Sequence, residues 1–175
     1  MKGFSRKEPM FSHCGLNCAL CAMHVGGYCP GCGGGEGNQS CAFARCSPGR
    51  GVEFCADCAE YPCARYEGFD ECDSFVPHSA RARDAAEARS LGIEAYMARM
   101  RESAALLGGY NDGRRKTLFS TAAYLLPPED LRAVLERLRA QAEGLELKER
   151  AALAARLLTE AAQARGLSLK LVKKP

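Results

Sequence analysis

The sequence predicts an α+β protein. A small, metal-stabilised cysteine-rich lobe of zinc knuckles and short hairpins comes first, and an α-helical portion follows. Three observations predict this. Ten of the eleven cysteines fall between Cys14 and Cys63. The first 75 residues hold twelve of the eighteen glycines but no isoleucine, two leucines (Leu16, Leu20) and two valines (Val25, Val52). From about residue 79 the composition turns to Ala, Arg, Leu and Glu, and apolar residues recur at helix spacing.

The expected organisation is a cysteine-rich metal-binding lobe over 10–76, a helical portion over 79–166 and a tail over 167–175, with Pro77 marking the boundary. In the first lobe, six phenylalanines (Phe4, Phe11, Phe43, Phe54, Phe69, Phe75) supply most of the bulk. So little aliphatic surface does not offset the entropy of ordering so much glycine. Bound zinc does, because roughly 10–16 kcal/mol of apparent binding energy per structural ion is also folding energy.

The cysteines are spaced as ligands. They read Cys14-x3-Cys18-x2-Cys21, Cys29-x2-Cys32, Cys41-x4-Cys46 and Cys55-x2-Cys58-x4-Cys63, with Cys72 alone in an acidic run. A Cys-x2-Cys turn sets two thiolates on one side of an ion, and a second pair completes a tetrahedron at about 2.3 Å per bond. The candidate metal ligands are therefore Cys14, Cys18, Cys21, Cys29, Cys32, Cys41, Cys46, Cys55, Cys58 and Cys63. The least-stretched partition gives one site to Cys29, Cys32, Cys41 and Cys46 and draws the second from the other six; interleaved pairing is equally allowed. Ten thiols fill two tetrahedral sites with two left over. His13, His24 and His78 read as surface or capping residues, since none has a zinc-ligand spacing.

The helical portion has five expected elements. A short helix is expected over 80–90. Ile93, Tyr96, Met97, Met100, Ala104 and Leu107 mark the next. Another covers Thr117 to Leu125. Leu131, Val134, Leu135 and Leu138 mark a fourth behind Pro127-Pro128, where proline suits the first turn. Leu153, Leu157, Leu158 and Ala161 mark the last, with Gly144 before it and Gly166 as its stop. Ser168 to Lys174 reads as a short strand or a frayed tail.

Charge separates the halves. Residues 1–75 carry six Lys/Arg against nine Asp/Glu, and residues 76–175 carry eighteen against twelve. A nucleic-acid-binding zinc module has basic residues on the metal ribbon itself, which is the opposite arrangement. Met1 to Ser12 contains Lys2, Arg6, Lys7 and Glu8 and no apolar run. No secretory signal is therefore expected. No stretch approaches the ~18 apolar residues of a membrane span. A cytoplasmic location is the expectation, and there clustered thiols stay reduced and bind metal.

Catalytic motifs fail on inspection. Gly108 to Thr117 has Gly-x4-Gly, but no Lys-Ser/Thr follows at once, and a helix rather than a strand precedes it. Neither His13 nor His24 has the Glu two residues on that a zinc deaminase needs. An all-cysteine set argues for closed structural sites rather than a catalytic zinc, so no catalytic residue is assigned. Iron is the alternative metal, because the Cys14-x3-Cys18-x2-Cys21 spacing also holds a four-iron cluster in radical-SAM enzymes. Their barrel needs more chain and more β-branched residues than follow Cys21.

The motif order resembles domain-of-unknown-function family 3795, a cysteine-rich prokaryotic family presumed to bind zinc. The resemblance rests on Cys14-Gly15-Leu16-x-Cys18-x2-Cys21, Gly27-Tyr28-Cys29-Pro30-Gly31-Cys32, Cys41-x4-Cys46 and Gly51-Val52-Glu53-Phe54-Cys55-x2-Cys58-x2-Tyr61-Pro62-Cys63. It covers about residues 10–110. It implies that the ten cysteines are ligands and implies no activity. Cys72 and the helix near 145–165 lie outside it. The expected function is a zinc-stabilised interaction module with a protein partner. An iron–sulfur, redox or metal-handling protein is the alternative, and nucleic-acid binding through the basic helical half comes third. No membrane partner is expected.

Overall fold

Residues 5–25, 27–34 and 41–173 are described by the computed structural model. Phe4 and Lys174, which figured in the sequence reading, lie outside them. Seven helices are found among the described residues: α1 (Ala22–Val25), α2 (Ala42–Gly49), α3 (Arg81–Leu91), α4 (Ile93–Gly108), α5 (Lys116–Leu125), α6 (Pro128–Gln141) and α7 (Leu147–Ala164). Three single 3₁₀ turns, Cys18–Leu20, Cys55–Asp57 and Ala64–Tyr66, precede α3.

The fold is mostly α-helical with a cysteine-rich N-terminal region. The short hairpins expected there are a correction: no strand forms among the described residues, only the isolated bridges Ser5 with Gly34 and Phe11 with Asn17. Strands favour β-branched residues, and residues 1–75 contain only Val25 and Val52, with no isoleucine or threonine. What the cysteines and glycines make instead is a series of tight turns. Ser168 to Lys173 likewise forms no strand.

The chain falls into two compact units, one running to Ala98 and joined by the segment from Leu171, the other Arg99–Lys170. In the first, Phe11 is a central side chain. Its ring packs edge-on against Tyr96 at 5.4 Å and lies 5.4 Å from Phe54. Asn17, fully buried, accepts from Ala19 N–H at 3.1 Å and so caps the first 3₁₀ turn. Arg6 is buried too: its guanidinium donates to the carbonyls of Phe11 (2.9 Å) and Cys32 (3.1 Å) and lies over Phe54. It thereby ties the Cys29–Cys32 knuckle to the segment before Cys55. Gly31 in that knuckle has φ +91°, and a Cβ there would lie 2.8 Å from Pro9 O, so only glycine fits.

In the second unit, α6 and α5 each pack on α7. Leu131, Val134, Leu135 and Leu138 line the buried face of α6, and Ala151, Ala154, Leu157, Leu158 and Ala162 that of α7. Small alanines facing leucines permit close approach of the helices. Pro128 occupies the first turn of α6. A capping box, in which Glu146 and Glu149 each accept a backbone N–H of the other, starts α7. Gly166, at φ +68°, ends it as expected, with Leu167 N–H returning to Ala162 O at 2.8 Å.

Candidate metal centre

The ten candidate cysteines line two cavities, both within the first unit. The division follows from local geometry. Cys41 is the N-cap of α2 and Cys46 lies within it. Five residues of helix rotate a side chain by about 140°, so the two thiols face different ways. Phe43 lies between them and lines both cavities.

The smaller cavity, about 30 Å³, is lined by Cys46, Cys55, Cys58 and Cys63. Cys55 opens its 3₁₀ turn and Cys58 closes it, with Cys58 N–H on Cys55 O at 3.0 Å. Cys63 caps the next turn. Burial raises the Cys55 thiol, and the nearby Tyr66 and Ser47 hydroxyls oppose that shift. Above the cavity, Arg81 forks onto Asp70 (2.7 Å to each oxygen), reaches Tyr61 OH at 3.1 Å and lies 4.0 Å over the Tyr66 ring. Arg50 and Glu60 form a two-pronged ion pair at its rim.

The larger cavity, about 490 Å³, is lined by Cys14, Cys18, Cys21, Cys29, Cys32 and Cys41, with His13, His24 and His78. Burial pushes Cys14 up to about 12, opposed by Ser12 Oγ at 3.1 Å and the Leu16 N–H. Cys18 is raised by burial and further by the nearby thiols of Cys32, Cys14 and Cys21. The exposed aromatics Tyr28 and Phe75 stand at its edge.

The three histidines differ. His78 stacks on Phe69, its Nδ1 donates to Phe69 O (2.8 Å), and its Nε2 accepts from Ser74 N–H (3.2 Å), so both nitrogens serve the turn that precedes α3. His13 and His24 each place Nδ1 on a backbone carbonyl, of Glu53 and Cys29 respectively. Burial lowers His13 and keeps it neutral. Cys72 lines neither cavity.

Two features of this arrangement differ from chain proximity. Cys46 joins Cys55, Cys58 and Cys63 rather than Cys29, Cys32 and Cys41, and Cys41 joins the N-terminal cysteines. Tyr66, Ser12 and Ser47, which approach the sulfurs, carry no spacing signal in the sequence. The sulfurs stand around the cavities without converging: among the described residues no group of three or more His, Cys, Asp or Glu side chains is drawn together closely enough to hold an ion. The donors fit zinc in kind and number, four soft thiols at one cavity and six at the other.

Tyr66 connects the two cavities. Its hydroxyl donates to Cys14 O at 3.2 Å, and its ring joins Phe43 and Phe69 in a cluster against which Cys41, Cys55 and Cys63 pack. No helix among the described residues is long and apolar enough to cross a membrane. The chain matches no protein-family model, no curated protein and no solved structure.

Proposed function

We propose that this chain is a zinc-binding protein of the type its motif order resembles, family 3795, and that its metal ions organise an interaction module for a protein partner. The observation that carries this reading is the sorting of all ten clustered cysteines to two cavities in one unit. The cysteine-bearing part of that unit, up to α3, is built from single turns and short helices. Thiols that served packing alone would have no reason to collect around openings. Closed four-thiol sites stabilise a fold and leave no position for substrate, so the role is structural. The exposed rings of Tyr28 (79%) and Phe75 (54%) offer apolar contact area for a partner.

The test is metal analysis of the full chain purified anaerobically under reducing conditions. The expected result is a colourless protein with stoichiometric zinc that loses its N-terminal structure on chelation. A metal-free protein with the same fold would sink the reading. A brown protein containing iron and sulfide would replace zinc with the iron–sulfur alternative.

A further inference from the structure

We infer that Ser47 is a positioning residue of the four-thiol cavity: its hydroxyl donates a hydrogen bond to the Cys55 sulfur when that sulfur ligates zinc. This deepens the zinc reading and rests on it.

Ser47 lies on α2 between Cys46 and Pro48 and is 2% exposed. Its Oγ is buried and meets no hydrogen-bond partner among the described residues. A serine inside a helix can return its hydroxyl to the carbonyl four residues back, here that of Phe43. Ser47 does not. A buried hydroxyl without a partner has given up its water for nothing, so such a group in a native structure points to a further interaction.

That interaction belongs to the cavity Ser47 lines together with Cys46, Cys55, Cys58 and Cys63. The other two hydroxyls on its wall are engaged. Tyr66 donates to Cys14 O at 3.2 Å, and Tyr61 accepts from Arg81 at 3.1 Å. At the rim, Arg50 and Glu60 hold each other. Ser47 stands beside the Cys55 thiol and opposes the rise that burial imposes on it.

A neutral thiol is a weak acceptor, and a hydrogen bond to an ionised acceptor is roughly twice as strong as a neutral one. Ligation therefore turns Cys55 into the acceptor that Ser47 requires. The Cys55 thiol releases its proton to solvent on binding zinc. Ser47 keeps its own proton and shares it with the sulfur, and no oxidation state changes. Donors behind a ligand fix its orientation and raise metal affinity.

The experiment compares the full chain with Ser47→Ala. Zinc is titrated against a competing chelator, and cobalt serves as a coloured substitute for zinc. Ser47→Ala is expected to weaken the binding of one ion by about 10- to 100-fold. It is also expected to shift the sulfur-to-cobalt charge-transfer absorption, which a packing role would leave in place. An ion weakened with no shift in absorption would make Ser47 a packing residue and overturn the inference. Unchanged affinity would overturn it too and leave the zinc reading intact. A chain that binds no ion would overturn both. If the variant does not fold, NMR of the cadmium-loaded wild-type chain decides. A Ser47 hydroxyl proton coupled to cadmium through the Cys55 sulfur is expected, and its absence would overturn the inference.

Discussion

The cysteine-rich unit and the helical unit reach order by different physics. In the helical unit, α6 and α7 bury Leu131, Leu138, Leu157 and Leu158 completely, and alanines let the helices approach. Each such leucine contributes about 1.5–3 kcal/mol by leaving water. In the cysteine-rich unit the buried apolar residues mix the aromatics Phe11, Phe43, Tyr66 and Tyr96 with Leu20, Val76, Met97 and alanines, set among tight turns and openings lined by thiols. The contrast teaches that a chain can divide its stability between two sources. One unit carries its own leucine core, and on the proposed function the other draws part of its folding energy from bound ions.

The largest way to break that contrast is at the four-thiol cavity. Cys58→Ser removes one of the four sulfurs there. It is expected to lower the zinc content by one ion and to lose much of the roughly 10–16 kcal/mol that a structural ion contributes. Metal analysis and chemical denaturation check it, and the helices of the second unit should unfold at an unchanged midpoint.

Next is Leu138→Ala, at a fully buried position on α6. The expected cost is about 2–5 kcal/mol, from lost transfer energy and the residual cavity. Zinc stoichiometry should not change. A loss of zinc on this substitution would show that the two sources of stability are not separate.

Tyr66→Phe probes the link between the cavities. It deletes the donor to Cys14 O but keeps the ring in its aromatic cluster. A cost of about 1 kcal/mol is expected, with full zinc content and faster release of zinc to a competing chelator. The smallest effect is at Arg137→Ala. Arg137 pairs with Glu160 on the exposed surface of the helical unit. Exposed pairs contribute little, so the thermal midpoint should not move measurably.

The helical half was legible because its signals are local. Pro127-Pro128 and the leucine spacing located α6, and Gly144 and Gly166 bracketed α7. The cysteine-rich half was legible in composition but not in arrangement. Hairpins were expected from the knuckle spacings, yet only Val25 and Val52 were β-branched there. The partition of the cysteines turned on α2. That helix is eight residues long and ends in Ser47, Pro48 and Gly49, so no periodicity announced it. Without α2 the opposed facing of Cys41 and Cys46 cannot be read. Tyr66 was invisible for a related reason. Its hydroxyl reaches Cys14, 52 residues earlier, and no spacing rule spans such a distance.

The central claim is that metal, rather than an apolar core, orders the cysteine-rich unit. Hydrogen exchange on the full chain, with and without a zinc chelator under reducing conditions, tests it most directly. The account predicts that chelation abolishes amide protection across α2 and the turns at Cys55–Asp57 and Ala64–Tyr66, while α6 and α7 stay protected. Unchanged protection across those turns after complete metal removal would contradict it.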